Sequence, residues 1–204
     1  MLQGARREEA QVLVELLLGF ALAGPPSAGW HVLTEGDVVV SCTQSGAEPW
    51  CRASGLIAAP SDVVYTLLDD IGGHSKIFDR IAVSVEYAPG RAHQVVRLPF
   101  PLDSRDYVVR LTRTREGADR VITFDSISAP ELPVQGLRLD HFAGEFRVHP
   151  RPDGTTEFSY LWQAELGPDV PSWALPVAWE AQGTEIVQGL RAAAESRQAG
   201  HPPR

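Results

Sequence analysis

Residues 155–166, TTEFSYLWQAEL, alternate without a break: Thr156, Phe158, Tyr160, Trp162, Ala164 and Leu166 fall on one side, and Thr155, Glu157, Ser159, Leu161, Gln163 and Glu165 on the other. A period of two predicts a β-strand with one face buried and the other wet. Three aromatic rings on the buried face need more partner surface than one strand can supply. The chain therefore requires a sheet, and that sheet requires a cover for its apolar side.

The partners for this strand lie upstream. An Asp-Gly turn, RPDG at 151–154, joins it to a strand over 137–149. Shorter strands are predicted at 30–34, 37–45, 50–58, 81–87, 92–98, 105–112 and 120–127, with turns at TEGD, PG and EGAD between several of them. In the 81–87 strand, Ile81, Val83, Val85 and Tyr87 share a face; in the 105–112 strand, Arg105, Tyr107, Val109 and Leu111 do. Two helices interrupt the β pattern. The segment APSDVVYTLLDD starts one, with Ser61 as its N-cap and Val63, Val64, Leu67 and Leu68 as its apolar stripe. A long final helix over about 171–196 has Pro171 at its start and an inward stripe of Leu175, Trp179, Gln182 or Gly183, Ile186 and Leu190. Gly183 and Gly189 each weaken that helix by up to about 1 kcal/mol relative to alanine, so they are expected to leave room above the sheet. The fold class is α+β, a curved antiparallel sheet wrapped around one long helix. A curled sheet and a straight helix leave a cleft or tunnel between them.

Composition narrows the function. The 204 residues suffice for one domain, and a formal net charge of −8 disfavours nucleic acid as a partner. No run of about 20 uncharged apolar residues exists to span a bilayer. Residues 1–28 carry two open readings. Arg6 and Arg7, an apolar stretch over 12–23 and the small-residue pattern Ala21-Leu22-Ala23 fit a signal peptide; Glu8, Glu9 and Glu15 fit an amphipathic N-terminal helix instead. Cys42 and Cys51 flank a turn-like TQSGAEPW. If their strands pair they can form a disulfide, which implies an oxidising compartment and a periplasmic or secreted protein; as two free thiols they leave a cytoplasmic location open. Residues 198–204 read as a loose tail. No metal-ligand spacing, nucleophile elbow, phosphate loop or dinucleotide fingerprint occurs, and neither a metal nor a cofactor is implied. The acid–base set for an enzyme reading is His93, on a strand flanking the cavity, with Arg105 and Tyr107.

Several ordered blocks resemble the START lipid-transfer family of the helix-grip, Bet v 1-like superfamily, in its bacterial form. They are GW…EGDVVVSC, GLIAAPSDVVYTLLDD, SRDYVVR at 104–110, and the final block around Arg138, Gly144, Pro150, Gly154-Thr155 and Pro171-Ser172-Trp173. The resemblance spans residues 29–197. It implies a monomer that holds a lipid or sterol-like molecule in an internal tunnel and carries or sequesters it, with transient membrane contact. It also implies a gate made by residues 97–103 and 173–189. Pro99 and Pro101 stiffen that gate loop, and Leu98, Phe100 and Leu102 give it an apolar tip. The superfamily also contains polyketide cyclase/aromatases, so an enzyme using the same pocket is the alternative.

The expected tunnel residues are Val83, Val85, Val96, Leu98, Phe100, Arg105, Tyr107, Val109, Phe124, Phe142, Phe146, Phe158, Tyr160, Trp162, Trp179, Gly183 and Ile186. Arg105 is expected either to contact the ligand or to form a salt bridge, for example with Asp140 or Glu145. A tryptophan in place of Gly183 is expected to block the tunnel and leave the fold intact.

Overall fold

A computed structural model of the chain describes residues 25–43 and 48–200. Both readings of residues 1–24, and the end of the tail at 201–204, lie outside the described residues. Ten strands form one sheet: β1 Trp30–Thr34, β2 Val38–Thr43, β3 Cys51–Ile57, β4 Ile81–Ala88, β5 Arg91–Val96, β6 Arg105–Glu116, β7 Asp119–Ser126, β8 Leu137–Arg138, β9 Phe142–Pro150 and β10 Thr156–Ala164. Nine of them run antiparallel in the order β1-β2-β3-β10-β9-β7-β6-β5-β4, and the two-residue β8 pairs in parallel with β6. The expected 137–149 strand is therefore split. Its first residues leave the hairpin because Leu137 N–H donates to Ser104 O and Leu139 N–H to Asp106 O, which ties them to β6.

The helices are α1 Ser61–Asp69, α2 His74–Ile77 and α3 Leu175–Gln198, with 3-10 turns at Ile71–Gly73 and Ser172–Ala174. Helix α1 begins one residue earlier than a Ser61 cap requires. Pro60 is the N-cap, and its carbonyl accepts the N–H groups of Val63 and Val64, while Ser61 is already helical. Residue 198, expected in the tail, closes α3. Among the described residues no helix is long and apolar enough to cross a membrane.

The sheet curls so that its inner face meets α3 along the helix, and the two halves meet it differently. Over β2, β3 and β10 one face of α3 packs solidly from Gly183 onward. Gly183, Val187, Leu190, Ala193 and Ala194 are buried there, against Val40, Ala53 and Trp162, all buried. A Cβ on Gly183 would lie 2.8 Å from Trp162 Cη2 and 2.9 Å from Ala53 Cβ. Gly183 is thus a point of closest approach between helix and sheet, not a gap, and the expectation that it leaves room is corrected. In the same half, Cys42 and Cys51 sit opposite each other on β2 and β3, with their sulfur atoms 1.99 Å apart in a disulfide.

Candidate functional site

Over β5, β6, β7 and β9 the packing stops short. A cavity of about 90 Å³ lies under the N-terminal half of α3. Its roof is Ala178, Gln182, Glu185 and Ile186 of α3, its near wall Ile71, His74 and Phe78 with residues 79–81, and its far end Leu98 and Leu166. The floor is a run of rings. Tyr107 meets Phe142 at 4.7 Å between centroids, Phe142 meets Phe124 at 4.7 Å, Phe124 meets Phe146 at 5.4 Å, and Phe146 meets Tyr160 at 5.0 Å. Gly144 makes this floor possible: a Cβ there would lie 2.7 Å from the Phe124 ring edge, so only glycine lets that ring lie across β9.

Ten of the expected tunnel residues border this cavity: Val96, Leu98, Arg105, Tyr107, Val109, Phe124, Phe142, Phe146, Tyr160 and Ile186. Seven do not, for four physical reasons. Val83 and Val85 were expected to share a face with Ile81, but the β4–β5 register shifts between Ile81 and Val83, and this bulge turns the later residues over. Ile81 and Ser84 point inward, opposite Val96 and Gln94, and Val85 is exposed. Phe158 and Trp162 lie on the predicted face of β10 but belong to the solid core, with no exposed surface. Gly183 and Trp179 pack against that core from α3. Phe100 points away from the cavity, 97% exposed in the loop over residues 97–103.

The polar groups around the cavity are mostly spoken for. Arg105 is buried, and its guanidinium donates to Leu166 O at 2.6 Å, Asp103 O at 2.7 Å and Asp169 Oδ1 at 2.5 Å. Its partner is thus Asp169 in place of the expected Asp140 or Glu145. The side chain borders the cavity while its donors join the loop over residues 97–103 to the segment that leads into α3. Tyr107 donates its hydroxyl to Glu165 O at 2.8 Å, in that same segment. Burial pushes the Tyr107 and Tyr160 phenols above their ordinary pKa, so both stay protonated. Two contacts fasten the roof directly: Gln182 Nε2 donates to Tyr160 Oη at 2.9 Å, and Arg80 pairs with Glu185 at 2.8 Å.

On the wall formed by α2, β4 and β5, sequence reasoning missed a buried polar chain. His74, 1% exposed, sets Nε2 2.9 Å from Leu68 O and Nδ1 3.3 Å from Gln94 Nε2. Gln94 Nε2 also donates to Ser84 Oγ at 3.0 Å, and Ser84 donates to Ile71 O at 2.6 Å. Burial lowers the His74 pKa, partly opposed by the Leu68 carbonyl and the nearby Asp70. The signal in the sequence was slight: one histidine after Gly72-Gly73, in a helix of four residues whose orientation only tertiary packing decides.

The expected acid–base set is not assembled. Arg105 and Tyr107 face inward, but His93 pairs with Val108 on the opposite face of β5. There His93 Nε2 lies 3.0 Å from the fully buried Asp106, which also accepts from Arg138 Nε at 2.5 Å and from Gln135 N–H at 2.8 Å. Burial alone would raise the pKa of Asp106. The hydrogen bonds from Gln135, His93 and Arg138 outweigh it and hold the carboxyl below its ordinary value. This cluster staples the loop before β8 onto the back of the sheet, away from the cavity.

The same fold recurs in known proteins. The chain is 28% identical over 190 residues to the uncharacterized protein PA1579 of Pseudomonas aeruginosa, a match that covers 87% of this chain and 93% of that protein. Human StAR-related lipid transfer protein 5 superposes with a TM-score of 0.75 at 15% identity, covering 96% of this chain and 99% of the other. The Zhui aromatase/cyclase of Streptomyces sp. R1128 superposes with a TM-score of 0.57 at 20% identity, covering 76% and 99%. At such identities the two structures speak to the fold. The family model described as the START domain matches residues 34–199. With its antiparallel sheet, its long closing helix and the cavity between them, the chain belongs to the START domain family.

Proposed function

We propose that the chain binds one lipid or other hydrophobic small molecule in the cavity under α3 and carries or sequesters it, as a monomer. The observation that carries this reading is the contrast inside one layer. The aromatic floor over β6, β7, β9 and β10 is roofed by a helix that does not pack onto it, although the same helix packs to contact at Gly183, on its adjacent face. A core with no ligand to accommodate has no reason to forgo that contact. Pockets for drug-sized ligands run to roughly 300–1,000 Å³. Uptake of a lipid therefore requires the gate loop and the first turns of α3 to swing outward. Phe100, Trp173 and Val177, on that loop and at the start of α3, are 97%, 79% and 65% exposed. They suit transient contact with a membrane while the gate is open. The buried disulfide supports work in an oxidising compartment, the periplasm or outside the cell.

Native mass spectrometry of the protein from its own host, followed by organic extraction, tests the reading. One bound hydrophobic molecule per chain is the expected result, and its fragmentation names the class. The intact mass also reports the disulfide and any processing of the first residues. The enzyme alternative rests on the fold shared with an aromatase/cyclase. An empty protein that turns over a polyketide-like substrate would establish that alternative and overturn carriage.

A further inference from the structure

The outer face of the solid half, turned away from the cavity, carries an apolar line of its own. Val32 on β1 pairs with Ser41, two residues along β2 from Val39; Val39 pairs with Ser54, two residues along β3 from Leu56; and Leu56 pairs with Glu157 on β10. Val32, Val39 and Leu56 therefore share one diagonal across three strands, on the face opposite the core residues Val38, Val40 and Ile57. All three are exposed. Beside Val39 and Leu56 opens a groove of about 490 Å³, lined also by Asp37, Ser54, Glu157 and Arg191.

The charges along this line do not balance. Arg191 is spent on the backbone. It donates to Asp37 O at 2.9 Å and to Leu56 O at 3.0 Å, and so braces β2 and β3 just beyond their last ladder pair, Val38 and Gly55. Arg52, further up the same face, lies 4.7 Å over the Trp30 ring and donates to Ser41. On the outer face of the other half, Asp106, Asp119 and Asp125 are each paired with an arginine. Asp37, its turn neighbour Glu35 and Glu157 are exposed and have no ion pair among the described residues. The complement of an apolar line flanked by free carboxylates is an apolar line flanked by cations. The backbone of β2 and β3 is spent on its ladders, so this face offers side chains alone. An occupant must then satisfy its own backbone groups, as a helix does. Diagonal neighbours on a sheet lie roughly 7 Å apart, and residues four apart on a helix rise by about 6 Å, so the two spacings match within side-chain reach.

We infer that this line is a docking site for a partner protein, through a basic amphipathic helix. Its apolar edge lies along Val32, Val39 and Leu56, and its lysine or arginine side chains reach Glu35, Asp37 and Glu157. The site lies on the far side of the sheet from the cavity and does not depend on the ligand reading.

Fluorescence anisotropy with the full chain tests this. The probe is a fluorescein-labelled helical peptide of about three turns, with leucine at i, i+4 and i+8 and lysine on either side. Its control has glutamate in place of every lysine. The lysine peptide is expected to bind at least about tenfold tighter than the control. Leu56→Ser should weaken it about tenfold, the worth of one buried leucine. The pair Asp37→Asn with Glu157→Gln should weaken it about fivefold, the worth of two exposed ion pairs, and should flatten its salt dependence. Nile red in the cavity should bind each variant as it binds the wild type, which shows that the variants are folded. Equal binding of the two peptides, binding of neither, or affinity that the variants leave unchanged overturns the inference. A dimer that Leu56→Ser splits, or liposome binding that it abolishes, gives the line a different occupant and overturns it too.

Discussion

One helix does two jobs on two halves of one sheet. From Gly183 onward, α3 lies against β2, β3 and β10 so closely that a single methyl at residue 183 has no room. On its neighbouring face, through Ala178, Gln182, Glu185 and Ile186, the same helix spans aromatic rings without filling the space above them. The first half behaves as a core, where each added or deleted atom costs stability. The second is expected to tolerate such changes in stability and register them in binding. Separating the halves lets a cavity exist in a small domain, because the cross-linked β2–β3 half supplies the rigidity that the open half gives up.

Gly183→Trp breaks the comparison most severely. The tryptophan enters the solid half, not the cavity, so urea unfolding should show a loss above about 3 kcal/mol. A stable variant with blocked binding would mean that the halves are drawn in the wrong place. Next is a matched pair on α3. Leu190→Ala, in the solid half and fully buried, should cost about 2–5 kcal/mol. Ile186→Ala, on the roof one turn earlier, should cost about 1 kcal/mol and change Nile red affinity.

A smaller effect follows from His74. Its folded-state pKa lies below the unfolded value of about 6.5, because burial disfavours the charged ring. Above that pH both states hold the neutral ring and its contribution is constant. As the pH falls below about 6.5 the unfolded chain takes up the proton first, and stability declines by up to about 1.4 kcal/mol per pH unit from this group. Urea midpoints between pH 7.5 and 5.5 should fall in the wild type and fall less in His74→Phe. The smallest effect on stability belongs to Phe100→Ala, within about 0.5 kcal/mol of wild type because the ring touches little. Its signature is weaker co-sedimentation with liposomes.

The sheet was legible because its strands announce their period, and β6 and β10 present the faces that alternation assigned to them. Alternation failed at β4, where one bulge after Ile81 reversed Val83 and Val85. A bulge follows from how two strands meet, and nothing in IAVSVEY marks it. Phe158 and Trp162 teach a different limit. Their face was right, but position along the strand decides whether a ring meets helix or cavity, and that depends on where α3 comes to rest. Gly183 was misread because a missing side chain leaves a gap only if no neighbour fills it, and Trp162 fills it. His74 was overlooked because a histidine acquires its role from the carbonyl and the amide that flank it, here Leu68 and Gln94, neither of which its sequence neighbourhood reveals.

The close approach at Gly183 also has a mechanical meaning. Helix α3 has 24 residues, of which the eight from 175 to 182 project beyond that contact. At 1.5 Å per residue this free arm is about 12 Å long, and a swing of about 20° lifts its tip by roughly 4 Å. The helix is fastened at Gln182 and Glu185, on either side of the fulcrum, and the segment that leads into the arm's far end is tied through Arg105 and Asp169. A fastening beside the fulcrum stretches little as the tip rises, whereas one at the tip must break. In the uptake proposed above, release of Arg105 from Asp169 is the step on which the opening of the arm turns.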